Sequence, residues 1–261
     1  MKIYLAGAVS GGNIKIEDKE RYFRGGVFSW KPYVLESFCY VKKEQLEKFL
    51  PYFGDFLLDS GAFTFMQQAK NGVDWDDYLN RYAEFINDLD IDKFFELDID
   101  DIVGYQKVLQ MRHKLECLTN KKCIPVWHIS RGKDEFLKMC DEYPYVSIGG
   151  LVGKEAGSKK QKMLEERFPW FISEAHKRGA KIHGLGYTSE KGIRANHFDS
   201  VDSTSWTAGN RFGLIYKFVD GKMIKVSKTR GMRCPVEKTR ELAKHNFLEW
   251  VKFQKWADSN L

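Results

Sequence analysis

Phe56 to Phe65 reads FLLDSGAFTF, an apolar run of strand length that ends in a carboxylate and passes at once into the small residues Ser60, Gly61 and Ala62. A run of that length bounded by a small-residue turn predicts a strand entering a buried core. Asp59 then stands at the strand's carboxyl end, where barrels and open parallel sheets carry their chemistry. The plainer reading is that Asp59 caps the following turn. Four recurrences of the same arrangement downstream favour the first.

Working outward, Ile3 to Ala8 reads as a strand, and the loop holding Gly7, Gly11 and Gly12 lacks the Gly-Lys-Ser/Thr ending of a phosphate loop, so it predicts a flexible connection. Val34 to Val41 is a second strand, and Lys42 to Leu50 a short helix closed by Pro51. Beyond the opening stretch, Asp74 is a plausible N-cap for a helix that puts Trp75, Tyr78, Leu79, Tyr82, Ile86 and Leu89 on one face. Further strands are predicted at Phe94 to Ile99, Cys123 to Ile129, Tyr145 to Gly149, Ala180 to Gly186 and Phe198 to Ser203. Helices are predicted between them at Ile102 to Leu118, Lys133 to Asp141, Lys159 to Arg178 with Pro169 inside, and Ser189 to Asn196. Eight short strands alternating with helices predict a (β/α)8 TIM barrel in the α/β class. A hairpin over Leu214 to Val226, turning at Asp220-Gly221, and a helix from about Val236 to Trp256 follow it. With no repeat or linker-like tract, residues 1–261 read as one domain, about 211–261 being an extension packed on it.

Composition agrees with a folded chain: 43% hydrophobic and 15% aromatic residues allow a sizeable core. No apolar run approaches twenty residues, and the start MKIYLAGAVSGG lacks a signal-peptide pattern, so neither membrane nor export is expected. Five scattered cysteines suit a reducing cytoplasm and offer no zinc spacing. The net charge of +6 is a C-terminal property: residues 211–261 hold 12 Lys and Arg against 5 Asp and Glu, leaving 30 against 31 for the rest. Such a tail either follows a phosphate backbone or forms a solvated helix face.

The predicted carboxyl ends gather Asp59, Asp98, His128, Gly149 to Leu151, His183 to Gly186, and Asp199 with Asp202. Carboxylates converging on one mouth repel one another unless a cation, a shared proton or a substrate offsets them. A metal-dependent hydrolase usually brings a His-x-His pair on the first strand, and LAGAV has none, so no metal or cofactor is expected. Metal-free glycosyl transfer needs a carboxylate nucleophile, a second carboxylate as acid and base, and backbone N–H groups for the leaving base. The residue set fits that chemistry better.

In order along the chain stand Asp59-Ser60-Gly61-Ala62-Phe63, Leu97-Asp98-Ile99, Val126-Trp127-His128, Gly149-Gly150-Leu151-Val152-Gly153-Lys154-Glu155, His183-Gly184-Leu185-Gly186 and Val201-Asp202-Ser203. These resemble six motifs of the tRNA-guanine transglycosylases. The match covers roughly residues 56 to 205. It departs in two respects: His128, or by spacing Trp127, stands where the family has a glutamine, and the cysteine-rich zinc subdomain is missing, with only Cys234 in that region. The resemblance is closest to the compact phage and bacterial branch that inserts 7-deazaguanines into DNA.

The resemblance implies a base exchange by double displacement in the cytoplasm of a bacterium or a phage-infected host. Asp202 would attack the sugar as nucleophile, with Asp199 in a similar Phe-Asp-Ser context as the alternative. Counting from Gly186, Asp202 lies 16 residues on and Asp199 only 13, and the family's longer interval favours Asp202. Residues three apart in a strand face opposite sides, so one of the two points inward. Asp59 would be the acid and base. Asp98, His128, Ser60, Leu185 and the Gly150 and Leu151 backbone would bind the base. Arg211, Lys225, Lys228, Arg230 and Arg233 would meet phosphates of the partner, DNA or alternatively tRNA, with a homodimer or a helper protein left open. Trp206 could stack on a flipped base, and His183 could serve the site, though each more commonly belongs to a core. A silent barrel that only binds nucleic acid is the reading of a different class.

Overall fold

The computed structural model describes residues 1–62, 64–65, 72–150, 159–187, 189–207, 213–227 and 236–261. In chain order these form β1 (Lys2–Ala6), α1 (Ile16–Phe23), β2 (Tyr33–Ser37), α2 (Lys43–Phe49), β3 (Asp55–Asp59) and α3 (Trp75–Asp88). There follow α4 (Asp100–Val103), α5 (Tyr105–Thr119), β4 (Val126–Trp127), α6 (Gly132–Glu142), β5 (Tyr145–Ile148), α7 (Lys159–Glu165) and α8 (Phe168–Lys177). The chain continues through β6 (Lys181–Gly184), α9 (Glu190–Ala195), β7 (Ser200–Ser203), the hairpin β8 (Leu214–Val219) and β9 (Lys222–Ser227), and α10 (Val236–Asn260). It is an α/β fold with a seven-stranded sheet in the order β3-β2-β1-β7-β6-β5-β4, every pairing parallel.

Alternation along the strands separates two apolar groups, as a period of two requires. Tyr4, Ala6, Tyr33, Leu35, Leu57, Phe95, Ile124 and Val126 pack together on one face. Ile3, Leu5, Val34, Leu58, Val146, Ile148, Ile182 and Val201 face the helices. A sheet covered on one side by helices and on the other by its own side chains is a curled sheet, not a flat one.

The fourth strand expected at Phe94 to Ile99 is reduced to Phe94–Phe95, which bridges Leu58 of β3 on one side and Ile124, just before β4, on the other. The physical reason is Glu96. Its buried carboxylate accepts the Val126 N–H at 2.8 Å, so a side chain takes the donor that a backbone carbonyl of a continuing strand would have accepted. Beyond it the chain turns tightly, Ile102 N–H bonding to Ile99 C=O at 3.0 Å. The strand expected at Cys123 to Ile129 shortens for the same reason.

Other differences are local. The expected single helix over 102–118 breaks at Gly104, and that over 159–178 breaks ahead of Pro169, which sits in the first turn of α8 where no N–H is needed. The glycine loop after β1, expected to be flexible, is pinned. Glu36 accepts from Val9 N–H at 2.5 Å and from Ser10 N–H and Oγ at 3.2 and 2.6 Å, while Lys19 donates to the carbonyls of Val9 and Gly11. Burial raises the pKa of Glu36 and lowers that of Lys19, each partly offset by the other's charge. The same segment holds α1, which the sequence reading did not anticipate.

The hairpin turns at Asp220-Gly221 as expected. Its β8 edge is covered by side chains of α10: Asn246 and Glu249 accept the Tyr216 and Phe218 N–H groups at 2.9 and 2.7 Å. Further along α10, fully buried Gln254 bridges the Ile3 and Tyr33 backbones where β1 and β2 diverge.

Candidate active site

Each strand of the sheet ends at the same rim, and the side chains there come from β2, β3, β6 and β7 and from the turns after Phe95 and β4. Asp59 closes β3. Its Oδ2 accepts the Gly61 N–H at 3.1 Å, and Ser37 at the end of β2 adds a second hydrogen bond. Burial first, then the charge of Asp202, push the Asp59 carboxyl up from 3.8 to about 6 against those hydrogen bonds, with Asp98 adding to the rise. The charges of Asp202 and Asp98 thus both reach Asp59 at this rim.

Gly61 is fixed as glycine by this arrangement. Its φ is +66°, and a Cβ there would lie 2.4 Å from Ser37 Oγ and 2.7 Å from Cys39 Sγ. Ser60 is buried, and its carbonyl accepts the Tyr78 hydroxyl at 2.5 Å, so its backbone anchors the turn to α3.

Asp98 meets His128 at 2.5 Å through Oδ1 and Nε2, and both side chains keep about a quarter of their surface exposed. Burial works against a charged imidazole, but the charge and hydrogen bond of Asp98 outweigh it and hold the His128 pKa above 6.5. Gly149 lets the ring sit there: a Cβ at that position would lie 2.6 Å from His128 Cε1. Behind the pair, Arg131 is clamped by Glu96 at 2.9 Å and by both oxygens of Asp100, under the Tyr105 ring at 4.3 Å. Arg112 takes the other oxygen of Glu96 at 2.6 Å. This buried network went unread in the sequence; Arg131, three residues after His128, and Asp100, two after Asp98, were its only local signs.

Asp202 lies on β7, 6% exposed, and pairs in register with Tyr4 of β1. Its Oδ1 accepts the Gly186 N–H and lies 3.2 Å from His183 Nε2. Asp199 sits three residues earlier, before β7 begins, which in an extended chain is roughly 10 Å toward the opposite rim. Its Oδ2 accepts the Ile182 N–H at 2.8 Å and meets His176 of α8 at 2.9 Å. The structure thus brings Asp202, Asp59, Asp98 and His128 to one rim and leaves Asp199 outside that group.

Gly150 follows Gly149 beside His128, and half-buried Leu185 packs on the inner apolar group. Leu151, Arg211, Lys228, Arg230 and Arg233 lie outside the described residues. Lys225 is exposed on β9. Trp206 belongs to the core: it is fully buried, and its Nε1 donates to Ala6 C=O at 2.9 Å. A separate cleft between α1 and α10 is lined by surface charges that pair among themselves, Lys244 with Asp18 at 3.0 Å, and it lies away from the strand ends. Among the described residues no three His, Cys, Asp or Glu side chains gather as a metal site needs. No helix among them is long and apolar enough to cross a membrane.

No family model and no curated protein matches the chain. Solved structures of similar course include the carboxyl transferase domain of Rhizobium etli pyruvate carboxylase, 10% identical over 98% of this chain with a TM-score of 0.49. This chain spans 48%, about half, of that one. Phosphoribosyl anthranilate isomerase from Thermus thermophilus is 10% identical over 94% of this chain and 98% of its own, with a TM-score of 0.40. D-allulose 3-epimerase from a Methylomonas species is 11% identical over 97% and 98%, with a TM-score of 0.38. These likenesses carry nothing about activity or substrate.

Proposed function

We propose that the chain is a (β/α)8 barrel that replaces guanine in DNA by a 7-deazaguanine such as preQ0, through a covalent glycosyl-enzyme. Closure of the barrel is supported by Phe94–Phe95, which bridges the two edges of the seven-stranded sheet. The observation that carries the chemistry is the gathering of Asp59, Asp202 and Asp98 at one rim, where burial and the charges of the other two push the Asp59 carboxyl up to about 6.

A carboxyl group with that pKa gives and takes a proton near neutral pH with little driving force in either direction, as an acid-base catalyst requires. Asp202 attacks C1′ of a deoxyguanosine unit turned out of the stack, the C1′–N bond breaks with its electron pair passing to the base, and Asp59 supplies the proton. The incoming base loses a proton to Asp59 and attacks C1′, and the Asp202 carboxylate departs. Asp98 accepts from the base's N–H groups through the oxygen that His128 leaves free. His128 stands in place of the family's glutamine, and the backbone at Gly150 faces the carbonyl edge. Asp199, turned to His176 and Ile182, takes no part in this scheme.

The test is incorporation of labelled preQ0 into purified DNA and, separately, into unmodified tRNA, with Asp202→Asn as the blank. Label in DNA that vanishes in the variant supports the proposal. Label only in tRNA keeps the mechanism and overturns the substrate; label in neither overturns the exchange.

A further inference from the structure

Behind Asp202 lies a chain of buried polar groups. His183 has no exposed surface, and its ring sits among Tyr4, Phe95 and Tyr145 with centroids 6.2, 5.3 and 6.4 Å away. Nδ1 lies 2.5 Å from Ser200 Oγ, Nε2 lies 3.2 Å from Asp202 Oδ1, and Ser200 Oγ meets the Tyr145 hydroxyl. Ser200 and Asp202 are two apart on β7 and share a face, and β6 pairs His183 directly with Ser200.

With the ring assigned neutral, the carboxylate, which only accepts, puts the hydrogen on Nε2, so Nδ1 accepts from the Ser200 hydroxyl and Ser200 in turn accepts from Tyr145. Every donor points toward Asp202 Oδ1, which also takes the Gly186 N–H. Asp202 Oδ2 has no hydrogen-bond partner among the described residues.

We infer that His183, with its tautomer locked by Ser200 and Tyr145, is a positioning residue that holds Oδ1 of Asp202 and leaves Oδ2 to attack the sugar. The inference rests on the base-exchange reading and adds a kinetic consequence to it. In the first half-reaction the Oδ2–C1′ bond forms as the C1′–N bond breaks. In the second, the incoming nitrogen forms its bond to C1′ and the Oδ2–C1′ electron pair returns to the carboxylate. Hydrogen bonds to a carboxylate are about twice as strong as those to a neutral ester oxygen, so the two donors on Oδ1 assist this second departure most. Loss of His183 slows release of the sugar more than its capture, and the adduct accumulates.

The experiment measures kcat, KM and the fraction of acid-quenched protein carrying the sugar adduct during turnover, for Ser200→Ala, Tyr145→Phe, His183→Leu and His183→Gln, with melting temperatures recorded alongside. Ser200→Ala and His183→Leu are expected to lower kcat by about 10- to 100-fold, with KM for DNA falling alongside it and the adduct fraction raised. His183→Gln, which keeps a donor near Nε2, restores much of the rate. Where His183→Leu does not fold, Ser200→Ala and Tyr145→Phe carry the test, since each removes a single hydroxyl. Wild-type kcat, or an unchanged adduct fraction, in Ser200→Ala overturns the inference. Wild-type protein that forms no adduct overturns the base-exchange reading itself.

Discussion

Replacing Asp59 by Asn is expected to stabilise the protein at alkaline pH and to do so less and less as pH falls. The native carboxyl titrates at about 6 against an ordinary 3.8. At about 1.36 kcal/mol for each tenfold, that gap corresponds to roughly 3 kcal/mol. Its sign follows from proton binding. Between pH 3.8 and 6 the native state holds the proton more tightly than the unfolded chain, so stability falls as pH rises through that window and the full cost is present above it. Asn removes the charge while its carbonyl can still accept the Gly61 N–H, and Ser37 can rotate to meet the amide. Denaturant unfolding of both proteins at pH 4, 6 and 8 reads the difference. A gain of up to about 3 kcal/mol is expected at pH 8, shrinking toward zero near pH 4. A pH-independent difference, or a variant less stable than wild type at pH 8, refutes it.

Gly149→Ala is expected to drive His128 off Asp98, because the new Cβ lies 2.6 Å from the ring. The His128 pKa then falls, as nuclear magnetic resonance titration would read, with a stability loss of about 1–3 kcal/mol from overpacking. Gln254→Ala leaves the Ile3 carbonyl and both Tyr33 backbone groups buried without partners. Chemical unfolding is expected to show a loss of about 3 kcal/mol or more. Lys225→Glu is expected to weaken DNA binding and to reduce the slope of log affinity against log salt by about one, and an unchanged slope returns Lys225 to a solvated face.

The strands were legible because an apolar run that ends in Asp59 or in Val201-Asp202 writes both its period and its exit into adjacent residues. Asp98 and His128 also follow apolar runs, although the first of those runs pairs only at Phe94 and Phe95 and the second forms only Val126–Trp127. What the chain did not disclose locally was partnership across distance. Glu36 and Glu96 look like charges interrupting apolar runs, yet both are fully buried, one pinning the loop after β1 and the other standing in for backbone at Val126. Their partners lie 27 and 30 residues away, beyond any local pattern. The shortened fourth strand follows from that hidden role of Glu96. His183 read as a core histidine, which it is, but only the fold reveals that one of the groups it bonds is Asp202.

The most direct test of the account is peptide mass analysis of the protein quenched in acid during reaction with guanine-containing DNA. The base-free DNA sugar is expected to be bonded through C1′ to the peptide holding Asp202, in wild type and Asp199→Asn and not in Asp202→Asn. An adduct on Asp199, or one that survives Asp202→Asn, contradicts it.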